Sequence, residues 1–513
     1  MEFEFVSQAK RGVGLQPGST NGSDLSRSTT LGFIWLSAQS LAVRGTNFLT
    51  QLVLARLLLP EAFGQVGLAF TVTAIVTSVI NVGVDDILLQ RMKNLKYWVT
   101  CGFFVSFFLS LVSAVLMMTA APFAAKLYNS PSLVGLIFIV ALAQPLNALS
   151  TIPAVKLRAE LNFKYLATYA SVETVCMGLT SIMLAAFGFG TLSFVLPFPI
   201  SGLVKALFYW RRAPVNLRKF KNIQVKYIMG SSGLILASRL LVEVVGQGDY
   251  IVLGLMTSEK TVGMYFFAFR LAIQPIRMLA GNFSTVLFPA LAQLQNDPAR
   301  QQLAAVRASE VLAYLVTPLS FMQAAVAPAL LHMLFKSRWD GSIPLIQILS
   351  IGLPGDAICW IGTALLIARR QFRRDFQYNL CFSALFFIFV LAGVYFQREL
   401  GVAIAVSAYY MLLKPVNSWL ILKESIKFRD FINIYILPSA LSAIAFAPLY
   451  LIYIYSMSKD ALIGLIFIGL LGPIIYIICV RMCSPRVLLD IINRFRIRPF
   501  ARFLRFSVSA DAP

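Results

Sequence analysis

Long apolar stretches alternate with short polar connectors from about Leu31 to Val480, fourteen times in all. A helix needs roughly 20 apolar residues to cross the hydrocarbon core of a bilayer. Lipid offers no hydrogen-bond partner, so each stretch must close its own backbone ladder as a helix. The pattern predicts spans at 31–57, 63–89, 97–120, 132–153, 167–187, 190–209, 228–255, 263–288, 309–329, 344–367, 378–396, 401–421, 434–456 and 460–480. The predicted fold class is therefore an all-α membrane protein of about 14 transmembrane helices. Composition agrees: 58% of residues are hydrophobic, 13% are charged and mean hydropathy is +0.77, far from the soluble range.

Charge orients the chain. Of 44 Lys and Arg, one alternating set of connectors and ends holds 31, the opposite set holds 7, and 6 lie inside spans. The richer set includes Lys10, Arg11, Arg27, the run Arg211–Lys226, Arg369–Arg374 and the tail, and the positive-inside rule assigns it and both termini to the cytoplasm. The net charge of +22 is thus mostly a topology signal plus attraction to anionic lipid, and no soluble basic domain exists that would bind nucleic acid.

Domain organisation follows. Residues 1–30 read as a disordered polar leader without the apolar core of a signal peptide, 31–210 as a first lobe of six spans and 211–227 as a basic cytoplasmic linker. Residues 228–421 read as a second six-span lobe, 434–480 as two further spans and 481–513 as a basic cytoplasmic tail. In the tail, Val487, Leu488, Ile491, Ile492 and Phe495 recur at helical spacing opposite Arg486, Arg494 and Arg496. Such a stripe fits a helix on the anionic inner leaflet or one packed on loops of the same chain.

Several functions are excluded by absence. Connectors of at most about 25 residues leave no room for a soluble catalytic domain, and no Walker, zinc-ligand or dinucleotide motif occurs. The single histidine, His332, reads as an interfacial residue, and the six cysteines as small packing residues. No enzyme activity, metal or cofactor is expected.

The charges inside spans carry the functional signal, because ionisable groups there are costly and face a cavity or a partner. Arg44 and Arg239 lie near mid-depth of the first and seventh spans, and Arg270 and Arg277 are seven residues apart in the eighth, with Pro275 between them to kink the helix. Lys205 lies near the cytoplasmic end of the sixth span and Lys414 deeper in the twelfth. The in-span acids are Glu173, Glu243, Asp249 and Asp356. Arg239 and Glu243, four apart, are placed to neutralise each other. An excess of mid-span arginine implies an anionic cargo, and the planar guanidinium suits phosphate. Glu173, Glu243 and Asp249 are candidates for coupling to an ion, or for structural pairing.

The halves echo each other: Gly64/Gly263, Ala69/Ala268 and Phe70/Phe269 all fall 199 residues apart. An even number of spans separates the copies, so a pseudo-two-fold axis would run along the membrane normal. The stretch Leu54–Gly64, the segment Gly248–Gly254 followed by Gly263, Tyr265, Ala268 and Arg270, and the run Phe288–Asp297 together resemble polysaccharide transporters, the oligosaccharide flippases of the MOP superfamily. Val43 replaces the small residue usual ahead of the first arginine. The resemblance implies two six-helix lobes around a central cavity plus two extra helices. It further implies an undecaprenyl-diphosphate-linked oligosaccharide cargo, for exopolysaccharide, capsule or O-antigen. It places the chain in the bacterial inner membrane, in association with other polysaccharide biosynthesis proteins. Arg44, Arg239, Arg270 and Arg277 would then hold the diphosphate. The alternatives are a multidrug/cation antiporter of the same superfamily, which needs an acidic cavity, and a polysaccharide polymerase or ligase, which typically has a large outer loop.

Overall fold

The computed structural model describes residues 39–494 apart from 40–41, 81–83, 85–87, 89–94, 161–162, 217–223, 226–232, 280–290, 292–293, 295–296, 370, 424–425 and 457–459. The leader, Asp85 and Asp86, most of the Phe288–Asp297 run and the tail beyond 494 lie outside the described residues. The chain divides into two compact units, Met1–Gln247 and Gly248–Pro513.

The first unit holds α1 (42–57), α2 (Pro60–Ile80), α3 (Leu95–Leu127), α4 (Ser132–Ala159), α5 (Phe163–Ala186) and α6 (Pro197–Arg212), and most of α7 (Gly233–Met256). Helices α3 and α4 form a hairpin whose turn carries Asn129 at φ 51°, and α4 also packs along α6. The second unit holds the end of α7, then α8 (Glu259–Ala272), α9 (Pro298–Phe335), α10 (Ser342–Gly352), α11 (Pro354–Ala368) and α12 (Phe372–Ala408). It closes with α13 (Lys414–Leu422), α14 (Phe428–Ser456), α15 (Ala461–Cys483) and α16 (Pro485–Arg494). No strand occurs among the described residues.

Every predicted span overlaps one or more of these helices: the tenth covers α10 and α11, the twelfth runs from α12 into α13, and the ends of several lie outside the described residues. Nine helical stretches among the described residues are long and apolar enough to cross a membrane, and one of them, Arg373–Leu422, serves two predicted spans. Its helix α12 reverses at Gln397 (φ −143°) and Arg398 (φ 48°), and the glycines Gly393 and Gly401 let the two arms touch backbone to backbone. The internal repeat also holds at the helix ends. Helix α1 ends at residue 57 and α7 at Met256, while α2 starts at Pro60 and α8 at Glu259, each pair 199 apart.

Prolines inside spans leave a carbonyl four residues earlier without its backbone donor. At four of them a side chain from another helix supplies one. Pro153 frees the Leu149 carbonyl, which accepts from Trp210 Nε1 at 2.8 Å. Pro275 frees that of Leu271, which accepts from Gln323 Nε2 at 2.6 Å. Pro318 frees that of Tyr314, which accepts from the Tyr476 hydroxyl at 3.1 Å. Pro328 frees that of Ala324, which accepts from Gln347 Nε2 at 3.3 Å. Removing one such donor strands a buried acceptor at a cost of about 1–3 kcal/mol.

Helix α9 is the hub of the second unit, packing against α10, α11, α14 and α15. Tyr314 joins one cluster with Leu441, Phe446, Tyr453, Ile468 and Val480. Its hydroxyl is 2.8 Å from that of Ser484, so the two added spans are tied to the lobe by apolar packing and neutral hydrogen bonds. Leu488 is buried in the same cluster and Val487 packs on it. The first turns of the tail stripe therefore face the protein's own helices.

Candidate substrate-binding site

The second unit concentrates charge where its helices break. Helix α8 stops at Ala272 and the chain resumes as helix at Gln274, so Pro275 interrupts the eighth span between Arg270 and Arg277. Gln323 from α9 anchors that break through the freed Leu271 carbonyl. Arg270 is half-buried, with its guanidinium carbon 4.6 Å from the centroid of the Phe266 ring. A cation over an aromatic face is attracted there by the ring quadrupole. Arg277 is exposed, and it lies within electrostatic reach of Arg270 and of Asp356.

The tenth span also bends at a proline, within one helical stretch from Ser342 to Ile367. Helix α10 ends at Gly352, and Pro354 starts α11 with Asp356 in its first turn. The twelfth span has a π-helical turn, Tyr409–Leu413, where the Lys414 N–H reaches back to the Tyr409 carbonyl. Pro415 follows, and its missing N–H accounts for a ladder that widens just ahead of it. Gly355 permits this approach: a Cβ there would strike the Tyr410 carbonyl oxygen. Across the contact, Lys414 Nζ is 3.6 Å from Asp356 Oδ1, and both side chains are mostly buried.

Asp249, on α7, is buried at 2% exposure. It accepts from the Tyr265 hydroxyl at 2.8 Å and from the Tyr250 backbone N–H at 2.9 Å. Tyr250 packs edge-on against Tyr265, Phe266 and Phe269, so the same aromatic group lies under Asp249 and Arg270.

The remaining candidates lie in the first unit. Arg44 is half-buried on α1, and Gln39, ahead of that helix in the chain, donates from Nε2 to the Ala167 carbonyl of α5. Arg239 is exposed on α7. Glu243 accepts from Gln247 Nε2 at 3.1 Å, and Gln247 in turn accepts from Thr71 Oγ1 at 3.2 Å, a chain that ties α7 to α2. Glu173 accepts from Ser201 Oγ at 2.5 Å and pairs loosely with Lys205 at 3.9 Å. It lines a mainly apolar cavity of about 350 Å³ between α5 and α6, with Tyr165, Tyr169 and Phe208. No group of three or more metal-ligating side chains occurs among the described residues.

Residues 53–344 match the polysaccharide biosynthesis protein family. The chain belongs to that family. Polysaccharide biosynthesis relatives include the succinoglycan biosynthesis transport protein ExoT of Rhizobium meliloti, 24% identical over 62% of this chain. That match spans 64% of the relative, less than two thirds of its length. The lipopolysaccharide biosynthesis protein WzxC of Escherichia coli is 20% identical over 76% of this chain and 82% of its own. Among solved structures, the lipid II flippase MurJ in an inward closed conformation aligns at TM-score 0.73 and 14% identity. That alignment covers 89% of this chain and all of MurJ. A MATE multidrug-resistance transporter aligns at TM-score 0.61 and 15% identity, covering 77% and 98%. This family member therefore has the MOP-superfamily fold and is a multi-pass membrane protein.

Within that fold, the structure brings Arg270 and Arg277 together at one broken helix and adds two residues that the sequence names without pairing. Lys414 and Asp356 are 58 positions apart, so nothing in their spacing joins them. The local signals, Lys414-Pro415 and Pro354-Gly355-Asp356, mark helix breaks on their own spans.

Proposed function

We propose that this chain is a flippase that moves a lipid-linked oligosaccharide across the bacterial inner membrane by alternating access. The observation that carries this reading is the paired arginines Arg270 and Arg277 at the broken eighth helix of a polysaccharide biosynthesis family member. They grip the diphosphate of an undecaprenyl carrier. Discontinuous helices placed in a span are a recurrent site of anionic substrate recognition in transporters. The protein does no covalent chemistry: its work is to hold a charged headgroup in a low-dielectric layer that water alone does not make passable. The relatives' names for succinoglycan and lipopolysaccharide support a cargo of the same class. A multidrug or cation antiporter would need net negative charge at these bends, where arginine and lysine outnumber Asp356.

Cells lacking the protein are expected to retain lipid-linked oligosaccharide in the cytoplasmic leaflet, read by its inaccessibility to an external glycosidase. Loss of resistance to cationic dyes with normal polymer export would replace this reading with the antiporter. Orientation is testable separately. Reporter fusions after Arg27, Lys221 and Arg486 are expected on the cytoplasmic side and fusions near Lys126 and Arg338 outside, given 31 against 7 basic residues. An outside signal at Lys221 would invalidate the span count of the first half. On this orientation the basic tail adjoins anionic lipid, each Lys or Arg contributing about 1 kcal/mol near the surface.

A further inference from the structure

Lys414 is an unusual cation for the middle of a span. Its nearest carboxylate oxygen is Asp356 Oδ1 at 3.6 Å, longer than a hydrogen bond. Its Nζ also stands 5.9 Å from the centroid of the Tyr409 ring and 5.8 Å from that of Tyr410, both edges of the range for a cation over an aromatic face. An ammonium carries three donors, and its charge is neutralised here by one carboxylate at ion-pair distance. The π-helical turn Tyr409–Leu413 and Pro415 hold it on the face turned to α11. Arg277 acts on Asp356 as well, more weakly than Lys414 does. The tenth and twelfth spans thus pair Asp356 with Lys414 at their bends, and Arg277 of the eighth is a more distant cation acting on the same carboxylate.

We propose that Lys414 is a further phosphate-binding residue of this site, held ready by Asp356 until the diphosphate of the lipid carrier displaces the carboxylate. The inference rests on the flippase reading above and deepens it. A diphosphate offers more negative charge and more acceptor oxygens than one carboxylate, so it draws Lys414 and Arg277 together while Asp356 is released. Asp356 is then a positioning residue: it holds the lysine in an empty site without filling it. This exchange also gives the site a way to distinguish a diphosphate from a monophosphate, since the second phosphoryl group is what the extra cation meets.

The test uses the purified full-length protein in nanodiscs and two probes, farnesyl diphosphate and farnesyl monophosphate, with export measured in cells. Lys414→Ala is expected to weaken diphosphate binding on the order of tenfold, the range for one hydrogen bond to a charged group, and monophosphate binding much less. Lys414→Arg is expected to keep the preference. Asp356→Asn removes the competitor, so it is expected to bind the diphosphate at least as tightly as the unaltered protein while export falls. Lys414→Ala with an unaltered diphosphate preference would overturn the proposal. So would a Lys414→Ala/Asp356→Ala double variant that regains both thermal stability and diphosphate preference, since the pair would then be purely structural. Arg270→Ala and Arg277→Ala separate the two levels: if they too leave diphosphate binding intact, the flippase reading fails. If they abolish binding and Lys414→Ala does not change preference, only the role of Lys414 is lost.

Discussion

Alanine at both Arg270 and Arg277 is expected to abolish polysaccharide export while membrane abundance stays close to that of the unaltered protein. Each guanidinium contributes charge-assisted hydrogen bonds to phosphate worth about 1.5–3 kcal/mol. Losing both therefore weakens headgroup binding by roughly a hundredfold or more. Abundance is spared for two reasons. Arg277 is exposed and contributes little to packing, and Asp356 keeps Lys414 at 3.6 Å, so no carboxylate is left alone. Lysine at position 270 is expected to rescue only partly, because an ammonium is a point charge that does not reproduce the bidentate fork. Normal export from the double alanine strain would remove the central claim.

The second large effect is on stability. Gly355→Ala is expected to lower abundance and melting temperature sharply, because its Cβ meets the Tyr410 carbonyl oxygen, backbone against backbone. Overpacking of this kind costs about 1–3 kcal/mol when neighbours can relax, and here neither partner is a flexible side chain. Gly469→Ala is the contrast. Nothing lies within 4 Å of its added Cβ, so the helix gains up to about 1 kcal/mol from propensity alone. Equal melting temperatures for the two variants would mean that α11 and the π-helical turn are not in fixed contact.

The sequence makes the spans legible because hydropathy is a local quantity: twenty apolar residues in lipid have only one way to satisfy their backbone. The break at Pro275 is legible for the same reason, since it follows from one missing N–H. What escapes is every fact that depends on which spans touch. Asp356 and Lys414 are each visible as charges, yet their pairing exists only because Gly355 admits Tyr410. Gln247 beside Glu243 accepts from Thr71 of α2, a tie that spacing along α7 does not show. The repeat shows a finer version of the same limit. Helix ends keep the 199-residue offset, but at that offset Arg44 corresponds to Glu243, not to Arg239. The two halves share a backbone plan and have distributed their charges independently.

The proline-freed carbonyls have a consequence for biogenesis. In all four cases the donor lies later in the chain than the proline it serves: Trp210 after Pro153, Gln323 after Pro275, Gln347 after Pro328 and Tyr476 after Pro318. During synthesis each of these spans enters the bilayer with an open acceptor that only a helix not yet made will close. For the ninth span the wait lasts from Pro318 until Tyr476 of the fourteenth has been inserted. The last two spans thereby act as a completion step for a helix at the heart of the second unit, and a ribosome that stalls before them leaves that helix unfinished in the membrane.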